Sequence, residues 1–537
     1  MAEIHGGQLV AKMLKAEGVE YLFALCGGHI DPIFQGCVDE GIRVIDTRHE
    51  QVAVFMAEGW SWLTGKPGVA AVTAGPGVTN AVTGLWTASV KGSPIVVFGG
   101  RSPLREFEWG SLQEMDSLSL ARTVTKWARS GYETKRIAEY VSMAFRQAMG
   151  GRPGPAYLEF PSDILRARVE STTIKLPQKY RTSAKPYGDP QLVQEAVDLL
   201  LEAKKPLVVV GNGVVWSEAV PALQEFLELL RVPCIGGPGI VPADMPYYQG
   251  LSVGTGNADV VLLLGARLDF TRGYGRAPRF HKDSRWIQVD IEATEIGRNR
   301  PIDIGIVGDV KAVLLQMMQA IRAGGKAGDT SAWLEEIGEE AKEQQRQLEE
   351  LMNLDSVPIH PARLCREIRD LLDRDATVIV DGGETTGWGF RVLRSYEPRH
   401  FLGVTPTGTL GIGTGYAMAA RLARPDEQVL LLSGDGSFGL NAMEFDTMVR
   451  HKLPIVSVVS NDTAWGMIVR DQKRWWGPGR LVGTELGFVR YDKMVEALGG
   501  YGEMVEKPED IKPALERAFA SNLPACINVR VTGPLDQ

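Results

Sequence analysis

The stretch SGDGSFGLNAMEFDTMVRHKLPIVSVVSNDTAWG, residues 433–466, contains two short polar motifs, and an apolar run precedes each of them. The first motif is Gly434-Asp435-Gly436-Ser437 and the second is Asn461-Asp462. Apolar runs that end in this way predict buried strands, and the residues between the motifs leave room for a helical crossover. In a parallel sheet the ends of two such strands can lie side by side. The stretch therefore predicts an α/β unit with a site at its strand ends.

The residue types at the two motifs suit an anion and a hard cation. Glycine lets the backbone approach an anion closely, and a following helix directs its N-terminus at that anion. Asp435 and Asp462 could share Mg²⁺ with backbone and diphosphate oxygens, since Mg²⁺ takes six oxygen ligands. An ordinary strand, turn and helix with a capping aspartate would explain the first motif alone. It does not explain the second motif at the end of the next strand.

The same alternation of short apolar runs and helical segments occurs in three parts of the chain. A chain of 537 residues is too long for one core and suggests three domains of about 150–200 residues each. We predict an α/β fold with three doubly wound parallel-sheet domains at residues 1–165, 186–325 and 355–537. Residues 166–188 are polar without a clear period and are interpreted as a linker, whereas residues 330–353 have the spacing of a solvated helix.

Composition excludes several kinds of partner. The net charge of -8 leaves no basic excess to neutralise phosphates, so nucleic acid is not expected as a partner. The 5 cysteines never form a CxxC pair, which favours free thiols in a reducing compartment. No apolar stretch reaches about 18–20 residues, so no membrane span is expected. The N-terminus lacks the pattern of a signal peptide, and a cytoplasmic protein is predicted.

The spacing of GDGS and Asn461-Asp462 resembles the cofactor motif of the thiamine diphosphate (ThDP) enzymes. The resemblance implies ThDP and Mg²⁺ as cofactors, with Asp435 and the backbone carbonyl of Ala464 as metal ligands. Asp462 occupies the place of an asparagine in the family. An aspartate can serve as a hard oxygen ligand, but it adds negative charge beside the diphosphate.

A glutamate in the N-terminal domain is the family's second requirement, and TRHEQVAVFMAEGW at residues 47–60 supplies Glu50. The resemblance implies that Glu50 hydrogen-bonds the aminopyrimidine of the cofactor and so promotes removal of the thiazolium proton. A helix N-terminal glutamate stabilised by the macrodipole is the alternative for Glu50 alone. The stretch TAGPGVTNAVTGL at residues 73–85 resembles the family's Gly-Pro-Gly turn. The other implied cofactor-binding positions are Thr73, Gly383, Gly408, Leu410, Gly434, Gly436, Ser437, Trp465 and Gly466.

Within the ThDP enzymes the chain most resembles benzaldehyde lyase, on stretches such as GGHIDPIFQGCVDEGIRVIDTRHE, GPGRLVGTELGF and NLPACINV. The central stretches LLGARLDFTRGYG and WIQVDIEATEIGRNRPIDIGIVGD also resemble 2-hydroxyacyl-CoA lyases and oxalyl-CoA decarboxylases. The resemblance implies cleavage or ligation of 2-hydroxy ketones or 2-hydroxyacyl-CoA thioesters without decarboxylation, with aldehydes as partners in the reaction. It places an active-site histidine at His29 and an active-site glutamine at Gln113. A turn histidine bonded to backbone is the alternative for His29 alone.

The implied substrate pocket is less aromatic and more polar than that of benzaldehyde lyase. Arg470, together with Lys473 and Arg474, could attract the phosphates of a CoA thioester, or these residues could form a solvated helix face. The family builds its site between two subunits, which implies a homodimer at least and a homotetramer commonly. The pocket positions are Leu112, Thr386, Met467, Arg470 and Asp471.

Two other functions remain as alternatives. The first is an acetolactate-synthase-like or oxalyl-CoA-decarboxylase-like enzyme that decarboxylates a 2-keto acid, with a flavin in the central domain in the synthase case. His29 argues against the synthase, because those enzymes have a small residue there. The second is a protein that kept the fold without catalysis, and Glu50 and Asp435 argue against it.

Overall fold

The computed structural model describes residues 3–324 and 328–536. Residues 1, 325 and 537, which limit the predicted domains, lie outside the described residues. Contacts divide the chain into two compact units. The first unit contains the chain up to Thr182, Ile379–Thr386 and the chain from Leu402 onward, and the second contains Ser183–Val378 and Gly387–Phe401. The predicted domain limits stay a prediction.

The N-terminal part of the first unit is a six-stranded parallel sheet in the order β3-β2-β4-β5-β7-β6. Every residue of β4 and β7 is buried, as expected where helices cover both faces of a parallel sheet. The strands, numbered along the chain, are β2 (Tyr21–Ala24), β3 (Arg43–Asp46), β4 (Gly68–Val72), β5 (Ile95–Arg101), β6 (Trp127–Ser130) and β7 (Ala156–Pro161). The helices are α1 (Gly6–Ala16), α2 (Asp31–Glu40), α3 (Glu50–Thr64), α4 (Pro76–Lys91), α5 (Ser117–Val124), α6 (Ile137–Met149) and α7 (Ser162–Arg166).

The second unit contains a five-stranded parallel sheet in the order β10-β9-β11-β12-β13. Its strands are β9 (Pro206–Val210), β10 (Cys234–Ile235), β11 (Val260–Leu264), β12 (Arg285–Asp290) and β13 (Ile304–Val307). Its helices are α8 (Pro190–Glu202), α9 (Asn212–Trp216), α10 (Val220–Leu230), α11 (Val310–Gly324), α12 (Ser331–Met352) and α13 (Pro361–Leu371). Helix α12 is the solvated helix predicted at residues 330–353.

The C-terminal sheet has six strands in the order β15-β14-β16-β17-β19-β18, and β16, β17, β19 and β18 run parallel. The ends of β16 and β17 lie side by side, with Gly434 opposite Ser460. The strands are β14 (Thr377–Asp381), β15 (Phe401–Gly403), β16 (Val429–Gly434), β17 (Val456–Asn461), β18 (Tyr501–Val505) and β19 (Ala525–Arg530). The helices are α14 (Gly383–Val392), α15 (Gly413–Ala423), α16 (Asp435–Asn441), α17 (Glu444–Arg450), α18 (Gly466–Trp476), α19 (Tyr491–Ala497) and α20 (Ile511–Ala520).

The predicted fold class is confirmed: three α/β sheets are present. Four strands carry no clear signal in the sequence, and all are edge strands of their sheets: β6, β13, β15 and β18. Edge strands contact a neighbour on one side only and need fewer apolar residues. The predicted linker also contains β8 (Arg168–Glu170), which pairs antiparallel with β1 (Glu3–His5). A strand of three residues is too short to show a period in the sequence.

Close packing between α3 and α15 fixes the helix that carries Glu50. A Cβ atom on Gly415 would lie 2.8 Å from Cβ of Phe55, so α15 can approach α3 only with glycine there. Lys91 at the end of α4 adds a buried polar contact, because it donates to the Tyr416 hydroxyl and to the Gly403 carbonyl, each at 2.7 Å. Within the described ranges, none of the helices is both long and apolar enough to cross a membrane.

Candidate active site

Glu50 is the first residue of α3, and its side chain is only 6% exposed. Its Oε2 atom accepts a hydrogen bond from Nδ2 of Asn80 at 3.0 Å. His49 is the N-cap residue, and its Nδ1 accepts from the Gln51 N–H at 3.1 Å. The carboxylate of Glu50 is therefore held at the N-terminus of the helix by a neutral donor rather than by a cation. Asn80 was not identified from the sequence, although it lies within the quoted stretch 73–85.

His29 lies in the turn after β2 and is 9% exposed. Its Nδ1 atom is 3.2 Å from Oγ1 of Thr73, and that hydroxyl donates to Oε1 of Gln113 at 3.4 Å. Gln113 adopts a φ of 61°, a left-handed conformation that is uncommon for residues other than glycine. The structure thus brings the predicted residues His29, Thr73 and Gln113 together.

Three glycines let these groups approach one another. A Cβ atom on Gly27 would lie 2.3 Å from Cβ of Thr73, and one on Gly100 would lie 2.6 Å from Cβ of His29. A Cβ atom on Gly77 would lie 2.9 Å from Cγ2 of Thr73 and 3.5 Å from Oε1 of Glu50. Gly77 therefore borders both Thr73 and Glu50, and a larger residue there would collide with Thr73. We call the five residues Glu50, Asn80, Thr73, His29 and Gln113 the Glu50 cluster.

His29 is held in its neutral form. Burial lowers the pKa of the imidazole below its ordinary value of 6.5, and the charge of Arg166 lowers it further. Arg166 lies close because its guanidinium donates to the Gly28 carbonyl at 2.7 Å. A backbone hydrogen bond with Leu112 opposes the shift but does not reverse it. A neutral imidazole can accept a proton near pH 7.

Asp435 follows β16 at the start of α16 and is 3% exposed. Its Oδ1 atom accepts from the Gly436 N–H at 2.9 Å, whereas Oδ2 is buried without a hydrogen-bond partner among the described residues. The Tyr491 hydroxyl donates to the backbone carbonyl of Asp435 at 3.1 Å. A buried carboxylate oxygen without a partner is costly, and a bound cation would satisfy it.

Asp462 lies next to Asp435 and is also buried. Burial raises the pKa of Asp435, and the neighbouring Asp462 carboxylate raises it further. Burial likewise raises the pKa of Asp462. Oδ1 of Asp462 accepts from the Ala464 N–H at 3.3 Å, and Thr463 between them has a φ of 60°. Such a conformation is strained for a β-branched residue and is typical of functional sites.

The oxygens of Asp435 and Asp462 fit a hard divalent cation. Among residues 3–324 and 328–536, no group of three or more His, Cys, Asp or Glu side chains could hold a metal ion. A cation here would therefore take two carboxylates and complete its shell with backbone or cofactor oxygens. Glycines leave room around the pair, since a Cβ atom on Gly466 would lie 2.5 Å from Oδ2 of Asp462. We call Asp435, Asp462 and the adjoining Glu384 the Asp435 cluster.

The implied residue Trp465 packs over the turn after β16. A Cβ atom on Gly436 would lie 2.5 Å from the indole ring, so only glycine fits beneath it. Gly434 directly precedes Asp435, and Ser437 follows two residues after it. A Cβ atom on Gly382, just after β14, would lie 3.2 Å from the Gly434 nitrogen and 3.4 Å from Oγ of Ser437. The backbone after β14 thus packs closely against the end of β16.

Asp381 was not identified from the sequence. It ends β14 and is fully buried, and burial raises its pKa to about 6. Its two oxygens accept from the Gly411 and Gly413 N–H groups at 3.2 and 2.8 Å. Gly411 follows Leu410 directly and Gly413 lies two residues further on, so Asp381 fixes the loop that carries Leu410. An aspartate directly after the apolar run of β14 is the signal that could have revealed it.

An open cleft of about 510 Å³ adjoins this loop. It contains the predicted cofactor residues Gly408 and Leu410 together with residues on both sides of Glu50. Glu50, Asp435 and Asp462 do not line it. Its lining consists of His49, Gln51, Thr83, Trp86, Thr407, Gly408, Thr409, Leu410, Leu440 and Asn441.

The predicted pocket residues differ in their surroundings. Met467 packs against Gly383, whose Cβ atom would lie 3.2 Å from the Met467 side chain. Thr386 is buried, and its hydroxyl has no hydrogen-bond partner among the described residues. Leu112 is 77% exposed, and Asp471 is exposed as well.

Two of the three basic residues on α18 are engaged by the protein's own acceptors. Arg470 forms a two-point ion pair with Glu384 at 2.9 and 3.1 Å. Lys473 donates to the Pro534 carbonyl, and the guanidinium of Arg474 lies 5.2 Å from the Trp475 ring centre. Arg470 is therefore not an unengaged cation for a substrate phosphate, because Glu384 neutralises it.

No hydrogen bond or ion pair in the described part of the chain joins the Glu50 cluster directly to the Asp435 cluster. The first offers a carboxylate, a neutral imidazole and an amide at fixed positions, which suits proton transfer. The second offers a buried carboxylate oxygen without a partner and closely approached glycine backbone, which suits a cation and a diphosphate.

Separate family profiles match the part of the chain that carries Glu50 and the part that carries Asp435. A profile described as the N-terminal TPP (thiamine pyrophosphate, ThDP) binding domain of thiamine pyrophosphate enzymes matches residues 4–120. The central domain of these enzymes matches residues 193–317, and their C-terminal TPP binding domain matches residues 381–529.

Curated relatives span nearly the whole chain. A protein named probable acetolactate synthase from Mycobacterium bovis is 40% identical, with 98% of this chain and 95% of the relative covered. The 2-hydroxyacyl-CoA lyase of Arabidopsis thaliana is 34% identical over the same shares. Human 2-hydroxyacyl-CoA lyase 2 is 33% identical over 94% of this chain and 86% of the relative. The chain belongs to the ThDP-dependent enzymes and is an enzyme of the lyase or carboligase type.

Proposed function

We propose that this enzyme is a Mg²⁺-dependent carbon–carbon lyase and carboligase that cleaves or forms 2-hydroxy ketones or 2-hydroxyacyl-CoA thioesters without decarboxylation. The observation that carries the proposal is the buried His29, whose lowered pKa keeps it neutral beside Thr73 and Gln113. Cleavage of such a substrate requires a base for the 2-hydroxyl proton, whereas decarboxylation of a 2-keto acid does not.

His29 and Gln113 are assigned complementary tasks in this proposal. An imidazole nitrogen of His29 accepts the 2-hydroxyl proton as the bond between the two oxygen-bearing carbons breaks, and the O–H electron pair becomes the new carbonyl bond. When bound, ThDP supplies the thiazolium that takes up the electron pair of the broken C–C bond. Ligation runs the same steps in reverse, and His29 returns the proton. The amide of Gln113 orients the second substrate oxygen as a fixed dipole.

Glu50 is assigned to the aminopyrimidine of the cofactor. Its carboxylate would share a proton with a ring nitrogen, and the hydrogen bond from Asn80 keeps that carboxylate in one orientation. Asp435, Asp462 and the carbonyl of Ala464 would hold Mg²⁺ against the diphosphate. The remaining cofactor contacts are assigned to Thr73, Gly383, Gly408, Leu410, Gly434, Gly436, Ser437, Trp465 and Gly466.

The substrate pocket is assigned to Leu112, Thr386, Met467, Arg470 and Asp471. We expect a homodimer or homotetramer, because large apolar side chains near the predicted pocket are exposed in the single chain. Trp109, Leu112, Trp475 and Trp476 are examples. All 5 cysteines are free, which supports a reducing, cytoplasmic location.

The relatives named as acetolactate synthases favour a second candidate, a decarboxylating carboligase. Their identity to this chain, 40%, exceeds the 34% of the plant 2-hydroxyacyl-CoA lyase. The neutral His29 weighs against this candidate, since the proton that it would accept is absent from a 2-keto acid.

A substrate panel with added ThDP and Mg²⁺ tests the proposal. Benzoin, a 2-hydroxyacyl-CoA, oxalyl-CoA and pyruvate are assayed in parallel on the wild type and on His29→Ala. We expect cleavage of a 2-hydroxy compound, a loss of roughly 10²-fold in kcat for His29→Ala, and unchanged ThDP affinity. Consumption of pyruvate or oxalyl-CoA alone would favour the decarboxylating alternative. Loss of ThDP binding in His29→Ala would make His29 structural.

A further inference from the structure

Helix α17 holds the turn from which Glu50 projects. Both carboxylate oxygens of Glu444, the first residue of α17, accept from the Arg48 N–H, at 2.9 and 3.1 Å. Oε2 also accepts from the Thr447 hydroxyl at 2.7 Å. Glu444 is 1% exposed, so its carboxylate is buried where it meets the backbone of the exposed residue Arg48.

Charged side chains of the same helix, and of the residue after it, contact the beginning of this turn. Asp46, the last residue of β3, accepts from Nη1 of Arg450 at 2.7 Å and lies 2.8 Å from Nε2 of His451. The guanidinium of Arg48 lies 3.6 Å from Asp446 on α17. These pairs are partly exposed and are weaker than the buried contact. The segment from Asp46 to Arg48 is therefore fixed at both ends by α17.

The contact between Glu444 and Arg48 lies two residues before Glu50 in the chain. Arg48 and Glu50 are separated by His49 alone, and His49 is the N-cap of α3. A shift of the Arg48 nitrogen would break its bond to Glu444 and leave a buried carboxylate without that donor, which is unfavourable. The first turn of α3 is thus held in place by Glu444 as well as by its own cap.

Helix α17 also follows directly on the segment that carries Asp435. Helix α16 runs from Asp435 to Asn441, and only Ala442 and Met443 separate it from α17. The residues that form one half of the candidate site therefore continue into the helix that orients the carboxylate of the other half.

We propose that Glu444 is a positioning residue for Glu50: its carboxylate fixes the backbone at Arg48 and so aims the Glu50 carboxylate at the cofactor. The inference rests on the proposed role of Glu50 in promoting loss of the thiazolium proton. It assigns no contact between Glu444 and the cofactor or substrate. What matters is an acceptor oxygen at the right distance from the Arg48 N–H.

Glutamine and aspartate at this position separate acceptor geometry from charge. Glu444→Gln keeps an acceptor oxygen at the original reach, while its amide can donate to the Thr447 hydroxyl. Glu444→Asp keeps the charge but withdraws the carboxylate by one methylene. Glu444→Ala removes the acceptor. Glu295→Ala is the matched control, because Glu295 is a buried carboxylate in an ion pair with Arg267 and lies in the other unit.

The readout is the rate at which the C2 proton of protein-bound ThDP exchanges with deuterium, measured by NMR after rapid quenching. ThDP affinity is measured by calorimetry and the melting temperature by circular dichroism. We expect Glu444→Ala and Glu444→Asp to slow exchange by ~10- to 100-fold while ThDP affinity changes little. Glu444→Gln should exchange nearly as fast as the wild type. Glu295→Ala should lower the melting temperature without slowing exchange.

Three results would overturn the inference. Exchange at the wild-type rate in Glu444→Asp, or equal slowing in Glu444→Asp and Glu444→Gln, would show that the acceptor position does not matter. Slowing in Glu295→Ala to the same degree would assign the effect to general destabilisation. Glu50→Gln is measured alongside: if it exchanges at the wild-type rate, the proposed role of Glu50 fails, whereas slow exchange in Glu50→Gln with fast exchange in Glu444→Asp refutes Glu444 alone.

Discussion

The Glu50 cluster and the Asp435 cluster differ in how far the protein satisfies their polar atoms. In the Glu50 cluster the carboxylate has Asn80 as its donor, and His29, Thr73 and Gln113 are joined by hydrogen-bond contacts of 3.2 and 3.4 Å. In the Asp435 cluster one carboxylate oxygen is buried without a partner in the described chain.

The two clusters also differ in charge. Burial and the Arg166 charge lower the pKa of His29, and Glu50 is the one acidic side chain of its cluster. Asp435 and Asp462 are two adjacent buried carboxyl groups, and the charge of Glu384 adds to the shift that raises the pKa of Asp462. The Glu50 cluster is therefore complete without a ligand and suited to chemistry at fixed positions. A cation that compensates its charge would complete the Asp435 cluster.

Glu50→Gln gives the largest expected effect, because it removes the carboxylate on which the Glu50 cluster depends. We expect kcat to fall by ~10²- to 10⁴-fold, the range for loss of a positioned proton-transfer group. Binding of ThDP and Mg²⁺, followed by calorimetry, should be retained because the Asp435 cluster is intact. Turnover of Glu50→Gln at the wild-type rate would show that Glu50 takes no part in catalysis. The Glu50 cluster would then not be the one that carries out proton transfer.

Asp435→Asn tests the opposite half. An amide has one carbonyl oxygen and no charge, so we expect the affinity for Mg²⁺ and ThDP to collapse. At a ligand concentration of 100 Kd the wild type should gain about 2.7 kcal/mol in free energy of unfolding, and the variant should gain almost none. Thermal unfolding with and without Mg²⁺ and ThDP measures this difference. An undiminished ligand-induced shift in Asp435→Asn would show that the cation does not bind at this cluster.

The asymmetry between the clusters also marks what could be predicted from the sequence. Asp435 directly follows a strand and Glu50 begins the helix after one, so local pattern marks both junctions, whereas the role of Glu50 was implied by the family resemblance. Their partners are distant in the chain. Asn80 lies 30 residues from Glu50, Glu444 lies 396 residues from Arg48, and Glu384 lies 86 residues from Arg470. Only the assembled sheets determine which strand ends meet.

The same limit applies to charge and to space. The sequence shows that Arg470 is basic but not that it pairs with Glu384, so its attraction of a substrate phosphate stays a prediction. It shows glycine at Gly27 and Gly77 but not that Thr73 fills the space beside them. Four edge strands were not predicted, because they carry a weaker apolar signal than the central strands of their sheets. They are β6, β13, β15 and β18.

Arg166→Gln gives the smallest expected effect and tests the electrostatics of the Glu50 cluster alone. Burial and the Arg166 charge both lower the pKa of His29, so the neutral base is lost only when pH falls through that lowered pKa. Removing the charge raises the pKa, and the acid limb of kcat/KM should move to higher pH. The rate at pH 8 should not change, because His29 is neutral there in both proteins. The loss at the acid end should stay below about tenfold, and it should shrink with added salt because Arg166 is exposed.

Arg166→Lys separates this charge effect from the hydrogen bond to Gly28. Lysine keeps the charge, so its acid limb should stay close to that of the wild type, and ¹⁵N-histidine NMR of His29 should titrate in parallel with the rate. Arg136→Gln, on the exposed surface of the same sheet domain, serves as the control for loss of one positive charge. If Arg136→Gln shifted the limb as far as Arg166→Gln, the long-range field of the protein would set the pKa of His29. A limb that did not move in Arg166→Gln, with His29 still titrating by NMR, would show that the acid limb reports another group and that His29 is not the base.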